Sequence, residues 1–323
     1  QVEAGDGVVL IDPLPLSDFS PLGQLFVDPG VEVVMHAPGE DFDLFERIAG
    51  SVPGRLFDTQ RAAAFAGLGM ALGYRGLVAL LLGVELDKGE TRSNWRRRPL
   101  SPSQLSYAAL DVTYLHPLHE HLTQKLVRSG RLDWLHEEQG LVRVTREADA
   151  RPEAAYLRVK GRGALTPDDH AVLRSLAAWR EREAQSRNLP RRHLVPDAAL
   201  LALAKRTGAR PSGGVRGLSR AVLERYHEQL DAAVRAGREA GPGPRDRNVD
   251  LRPLARRLDA LKRIVAEVAA TLELPAELLA SRRALEALLL RVQVERGEPP
   301  REFLGWRYDV VGQRLIDTLR QEH

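Results

Sequence analysis

The sequence predicts an α/β domain at the front of the chain followed by two all-α blocks. Three observations carry this reading. Strand-like apolar runs are confined to the first forty residues, and helical patterning dominates from Asp41 onward. A turn-rich, charged segment, Gly241-Pro242-Gly243-Pro244-Arg245-Asp246-Arg247-Asn248, divides the later helical region. Strands at the front and helices behind them indicate an α/β layer whose sheet is only partly present.

The first element is Val8-Val9-Leu10-Ile11-Asp12-Pro13, an apolar run stopped by Asp-Pro that reads as a buried strand. A second strand, Val31-Glu32-Val33-Val34-Met35-His36, follows the turn signal Asp28-Pro29-Gly30. A strand opening so close to Gln1 is expected of a chain that begins inside a domain. The first domain is expected to span 1–142. A linker over 143–164 contains Arg151-Pro152 and Gly161-Arg162-Gly163. Helical blocks follow at 165–240 and 250–321, separated by a linker at 241–249. The blocks have similar length, consistent with two copies of one module.

The 323 residues, 43% of them hydrophobic, suffice for two or three cores. No apolar run approaches the roughly 20 residues of a membrane span, and Gln1 does not open a signal peptide. Cysteine is absent, which excludes disulfides and thiolate metal sites. The expectation is a soluble, cytoplasmic protein, monomeric and without a membrane partner. Residues 1–150 hold 14 Lys and Arg against 21 Asp and Glu, whereas residues 151–323 hold 33 against 23. An acidic front suits a cation-loaded site and a basic rear suits a polyanion, through counterion release.

Two acids stand out on helical wheels. With Asp41 at 0°, the residues Phe42, Leu44, Phe45, Ile48 and Ala49 fall between roughly −60° and +100°. With Asp111 at 0°, Tyr107, Ala108, Tyr114, Leu115, Leu118 and Leu122 lie within roughly ±60°. Both acids are therefore expected within apolar stripes, where a carboxylate is costly unless paired, protonated or bound to a cation. Asp41 has the alternative of capping a helix start. Two such acids in one domain favour a divalent cation, and oxygen ligands without cysteine favour Mg²⁺ or Mn²⁺. Tyr107 precedes Asp111 by one turn, so its phenol is placed either to orient a metal-bound water or to serve as a core tyrosine. Asp58 reads as the N-cap of a helix beginning Thr59-Gln60.

These residues fall in recognisable motifs. His36-Ala37-Pro38-Gly39-Glu40-Asp41-Phe42-Asp43-Leu44-Phe45 resembles the second exonuclease motif of the ribonuclease D family, and Leu56-Phe57-Asp58-Thr59-Gln60 resembles the helix start after it. Leu86-Asp87-Lys88-Gly89-Glu90-Thr91-Arg92-Ser93-Asn94-Trp95 with Arg98-Pro99-Leu100-Ser101 resembles the next signature block. Tyr107-Ala108-Ala109-Leu110-Asp111 is similar to the third motif of DEDD exonucleases, in the tyrosine variant. Further on, Leu176-Ala177-Ala178-Trp179-Arg180-Glu181-Arg182-Glu183-Ala184 with Asn188-Leu189-Pro190 and Val195-Pro196-Asp197 resembles the helicase-and-RNase-D C-terminal (HRDC) module. Ala276-Glu277-Leu278-Leu279-Ala280-Ser281-Arg282-Arg283 with Gly305-Trp306-Arg307 resembles the family's second such module.

The resemblance implies a ribonuclease H-like exonuclease domain, truncated at its N-terminus, followed by two HRDC domains. It implies a 3′-to-5′ exoribonuclease that uses two divalent ions, Mg²⁺ or Mn²⁺, releases nucleoside 5′-monophosphates and trims transfer-RNA precursors and other small RNAs. Asp41 and Asp111 become metal ligands, and Tyr107, Asp41 and Asp111 the catalytic set. The family's first motif, an Asp-x-Glu strand, is expected upstream of Gln1, so residues 1–323 alone are expected to be inactive or nearly so. Lys88 and Arg92 are candidate phosphate contacts or plain loop residues. Trp95-Arg96-Arg97-Arg98 combines an aromatic with cations suited to single strands, Trp95 being equally suited to anchor the core. Two alternatives stand beside this reading: an inactive RNA-binding protein on the same fold, and a DNA-directed DEDD exonuclease.

Overall fold

The computed structural model describes residues 1–5, 7–87, 89–187, 189–205, 215, 217–243 and 252–321, and the backbone alone at 142–150 and 252. Lys88 and most of the expected 241–249 linker lie outside the described residues. The chain divides into two compact units, Gln1–Leu141 with Leu254–His323, and Val142–Pro253.

In the first unit, β1 (Val2–Glu3) pairs antiparallel with β2 (Val8–Val9), Val2 opposite Val9. The buried strand expected over 8–13 is corrected here: it is two residues long, and Val9 and Ile11 are 57% and 50% exposed. Among the described residues only the two-residue β1 pairs with it, too little sheet to cover its side chains. Helix α1 (Ser20–Val27), with Pro21 in its first turn, lies ahead of the point where helical patterning was expected to begin. Strand β3 (Val33–Met35) leads through α2 (Asp41–Ala49) to β4 (Leu56–Asp58), which pairs parallel with β3, Val34 opposite Phe57. β4 was not expected as a strand, since three residues carry no readable alternation.

Asp58 then caps α3 (Thr59–Phe65), accepting from the Gln60 amide as anticipated. Helices α4 (Tyr74–Leu82), α5 (Pro102–Thr113), α6 (Leu115–Arg128) and α7 (Leu132–Ala150) follow. A capping box between Ser101 and Gln104 starts α5. The core joins Ala62, Ala63 and Phe65 of α3, Leu77 and Val78 of α4, and Leu118, Leu122 and Leu126 of α6, all fully buried.

The same unit contains the C-terminal helices. The stretch ending at Leu141 in α7 and the segment from Leu254 onward are held together by a defined set of contacts. Trp306 stacks on Trp134 (5.3 Å, 17°) and meets Phe65 edge-on (5.2 Å). The Trp306 amide donates to the Glu137 carboxylate at 3.1 Å. Arg307 donates through both terminal nitrogens to the buried Glu138 (2.5 and 3.0 Å), and also to the Leu278 and Leu279 carbonyls. Arg131 donates to the carbonyls of Phe65 and Leu272. Gly305 makes this close approach possible: its φ is +60°, and an added Cβ would land on the Glu137 carboxylate.

In the second unit, α8 (Pro167–Ser186) is opened by a Thr166/Asp169 capping box. The short α9 (Arg191–Leu194), α10 (Asp197–Ala204) and α11 (Arg220–Ala240) complete it. At Gly237 an added Cβ would strike the α8 backbone at Val172, so α11 crosses α8 at backbone distance. The segment expected as a linker, 143–164, instead supplies Ala155, Tyr156 and Val159 to this core, packed with Leu173, Leu176 and Leu200. Three apolar residues within five positions found buried places there, which its Pro and Gly content had obscured. Arg180, 2% exposed, donates to the Val195 carbonyl and to Asp197, both at 2.8 Å.

The C-terminal block of the first unit comprises α12 (Ala255–Leu272), α13 (Ala276–Leu279), α14 (Arg282–Leu289) and α15 (Gln313–Gln321). Long helix, four-residue helix after a proline, eight-residue helix and closing helix recur in the same order as α8 to α11, the internal repetition that block length suggested.

Removing one partner of a buried ion pair is strongly destabilising. Arg180→Ala is expected to lower stability in urea denaturation by about 3 kcal/mol, near the low end because Asp197 keeps some water. Burial alone pushes the Asp197 carboxyl up, but Arg180 and the Lys160 amide outweigh it and hold it below its ordinary 3.8. That stabilisation is present above pH 3.8 and is lost as pH falls through the lower folded value; the variant should lack this acid-dependent component. Arg307→Ala leaves the buried Glu138 with only the longer contact to Arg61 at 3.8 Å; it is expected to cost about 3 kcal/mol, and hydrogen exchange should then rise in both α7 and α13.

Candidate active site

The predicted site residues lie on α2, on α5 and in the loop between α4 and α5. Both acids are exposed, not inside apolar stripes. This corrects the helical-wheel expectation, for two physical reasons. Asp41 is the first residue of α2, and side chains tilt toward a helix N-terminus, so its carboxylate projects past the end of the helix. There it benefits from the positive end of the helix dipole. Asp111 was placed on a continuous helix with Leu115, Leu118 and Leu122. The helix breaks at Tyr114, because Pro117 lacks an amide hydrogen and is tolerated only in the first turn of a new helix. The leucines are buried on α6, while Asp111 belongs to α5 and turns away from their stripe.

Surrounding protein still desolvates Asp111 enough to raise its pKa above 3.8. Tyr107, half-buried, stands one turn earlier on α5, its hydroxyl 3.4 Å from Thr91 Oγ1 and its ring 5.9 Å from that of Trp95. Trp95 is itself oriented, its Nε1 donating to the Glu90 carbonyl at 3.2 Å. The Glu90 carboxylate accepts from Ser103 in the first turn of α5 (2.7 Å) and from Ser93, hydroxyls that hold its carboxyl below the ordinary value. The loop is thus fastened to α5 at Ser103 in its first turn and at Tyr107 itself.

Two residues not singled out by sequence tie the acid-bearing segments together. The Tyr74 phenol donates to the Leu110 carbonyl (3.0 Å) and accepts from the Tyr114 amide (3.1 Å), bridging the α5–α6 break beside Asp111. Burial pushes Tyr74 up to about 12, the Asp111 charge adding to the shift. The His36 ring meets Tyr74 edge-on at 5.7 Å, five residues before Asp41. Thr59 Oγ1 spends its hydrogen on the Met35 carbonyl, so His36 Nδ1 must be the donor to Thr59 Oγ1 at 2.9 Å. Burial lowers the His36 pKa below 6.5 and keeps the ring neutral. Tyr74, an isolated aromatic at a helix start, has no spacing that would have marked it.

The remaining candidates separate. Arg92, Arg96 and Arg97 are exposed. Arg98, proposed for RNA, donates to both oxygens of Asp12 at 2.7 Å and to the Trp95 and Arg97 carbonyls. Its guanidinium is therefore occupied, and it pulls Asp12 down to about 2. Carboxylates suit a hard divalent cation. Yet among the described residues no three His, Cys, Asp or Glu are arranged to hold one. Asp41 and Asp111 do not by themselves make a complete cation site.

The geometry can be set beside known proteins. A 3′-5′ exonuclease family model matches residues 1–127, an HRDC domain model residues 169–234, and the C-terminal HRDC domain of ribonuclease D residues 255–315. Fold and matches together define a 3′-5′ exonuclease domain followed by two HRDC domains. Ribonuclease D of Pseudomonas paraeruginosa is 36% identical, covering 98% of this chain and 86% of its own length. Ribonuclease D of Escherichia coli is 33% identical over 99% of this chain and 88% of the relative. The crystal structure of Escherichia coli RNase D, described as an exoribonuclease involved in structured RNA processing, superposes with a TM-score of 0.83 at 31% identity, covering 96% of this chain and 85% of that one. The chain belongs to the ribonuclease D family, a family of exoribonucleases.

Tyr74→Phe deletes the hydroxyl that joins Leu110 and Tyr114. It is expected to destabilise the chain by about 1–3 kcal/mol in urea denaturation and to increase amide exchange at Tyr114.

Proposed function

We propose that the chain serves a cytoplasmic, monomeric 3′-to-5′ exoribonuclease that trims transfer-RNA precursors and other small structured RNAs to nucleoside 5′-monophosphates. The observation that supports this most is the placement of Tyr107 and Asp111 one turn apart on α5, tied through Tyr74 and His36 to the segment bearing Asp41. An exposed pair of acids is accessible to a strand end, which a buried pair is not.

The Tyr107 phenol, steadied by Thr91 and Trp95, positions the attacking water at the terminal phosphodiester. Asp41 and Asp111 contribute two of the carboxylates of the site. Dependence on two divalent ions, magnesium or manganese, comes with the family resemblance, and the opening-strand Asp-x-Glu pair is proposed to complete the donor set. Arg92, Arg96 and Arg97 are proposed to lie along the incoming strand, with Lys88 as a further phosphate contact. The structured-RNA role printed for the Escherichia coli enzyme is taken as the model for the substrate class.

The absence of a three-donor group among the described residues favours a second reading, that the protein keeps the exonuclease fold and binds RNA without cutting it, even when extended upstream. One experiment separates the two. A 5′-labelled RNA with a single-stranded 3′ tail is incubated with this chain, and with the chain extended upstream by a strand bearing Asp-x-Glu, in magnesium, manganese or EDTA. The expected result is stepwise 3′ shortening by the extended chain, blocked by EDTA and reduced about a hundredfold or more in Asp111→Asn, a loss of a few kcal/mol of transition-state stabilisation. Undiminished trimming by Asp111→Asn removes its assigned role. RNA bound but unshortened by both forms establishes the second reading.

A further inference from the structure

Asp58 is buried, at 8% exposure, and capping α3 uses only one of the two hydrogen bonds it accepts. Its Oδ1 takes the Gln60 amide and also the Ala37 amide, both at 2.9 Å. Ala37 lies outside α3, in the turn that leads from β3 into α2, and its φ is +52°. An L side chain adopts that left-handed backbone only at a cost, so the turn persists because other groups hold it. The turn ends where the candidate site begins. The Gly39 amide donates to the Ala37 carbonyl (2.9 Å) and the Phe42 amide to the Pro38 carbonyl (3.2 Å), and Asp41 opens α2. Asp58 is itself fixed. It stands opposite Met35 in the parallel pairing, and its amide donates to the Gln139 side chain of α7 at 2.8 Å. The fully buried Thr59 beside it bonds the Met35 carbonyl and the His36 ring.

We infer that Asp58 is a positioning residue for the proposed exonuclease site: its carboxylate holds the left-handed turn at Ala37 and so sets where the Asp41 carboxylate stands. The effect on turnover rests on the exonuclease reading; the effect on the turn does not. Asp41 is exposed and begins a helix, so the backbone entering that helix decides where its side chain points. Relaxing Ala37 toward ordinary backbone swings the first turn of α2 and carries the Asp41 carboxylate out of its place relative to Asp111. Misplacement by about 1 Å is enough to cost a large factor in rate. A purely capping role has different consequences, weakening α3 and leaving the start of α2 as it was. The two roles are separable because one oxygen performs both. A serine hydroxyl caps a helix as well as a carboxylate does, but it ends one bond nearer the backbone and falls short of the second amide.

The test has two arms. In the full chain, amide hydrogen exchange is followed by NMR in Asp58→Ser and Asp58→Asn. The serine variant is expected to speed exchange over 37–42 severalfold, about the equivalent of one lost hydrogen bond, with 60–62 unchanged. The asparagine variant keeps an oxygen at the same reach and should behave as the parent. Unchanged exchange over 37–42 in Asp58→Ser overturns the proposal. In the chain extended upstream, single-turnover trimming of a 3′-tailed RNA is expected to slow about tenfold or more in Asp58→Ser with KM little changed, and Asp58→Asn to restore the rate. On an Asp41→Asn background the same change should cost less than about twofold, because its effect runs through Asp41. An equal loss on both backgrounds overturns the positioning role. If the extended parent does not shorten RNA, the exonuclease reading fails and the exchange arm alone decides this one. Should Asp58→Ser not fold, Ala37→Val decides instead. Ala37 is exposed, so the valine has room, but a β-branched residue resists the left-handed turn while the α3 cap stays intact. It is expected to reproduce both effects, and parental behaviour in it overturns the proposal.

Discussion

The first unit depends on a guanidinium that has almost no water. Arg307 satisfies Glu138 with two hydrogen bonds and gives two more to the last carbonyls of α13. Removing Arg307 would leave the buried Glu138 with only the longer contact to Arg61. The pair therefore acts as a registry device: α7 and the C-terminal helices meet in the arrangement that brings these groups together. The Trp134–Trp306–Phe65 stack excludes water around it, and Gly305 permits the approach. Residues nearly 170 positions apart in sequence thus belong to one cooperative body.

The candidate active site follows the opposite principle. Its acids are at open surfaces, one at a helix start and one beside a helix break, and its order comes from neutral groups. Tyr74 closes the break, neutral His36 packs on Tyr74, and Glu90 pins the loop carrying Thr91 and Trp95 against α5. Carboxylates at an accessible surface meet a strand end without prior desolvation. Phenol and imidazole neighbours keep their positions without neutralising their charge.

The charge asymmetry between the two halves of the chain also has a structural counterpart. In the acidic front, one of the exposed arginines, Arg98, is consumed by Asp12. In the basic rear, Arg180 is buried as a structural cross-link, whereas Arg182 on the same helix is mostly exposed. Burial rather than composition separates the two.

Much of this was legible in the linear chain. Helix starts at Asp58, Ser101 and Thr166 follow from local capping chemistry, which acts over three residues. Block length suggested the repetition of the two helical blocks, and resemblance to a known family picked out the motifs carrying Asp41, Tyr107 and Asp111. The orientation of those acids could not. A helical wheel assumes a continuous helix, and it cannot register that Asp41 begins one or that Pro117 ends the stripe on which Asp111 was placed. Nor could spacing reveal Tyr74, the Arg307–Glu138 pair, or Tyr156 as a core residue in a stretch resembling a linker. Capping and periodicity are properties of near neighbours and belong to the sequence. Burial and pairing depend on which distant surfaces meet, and only the tertiary structure decides that.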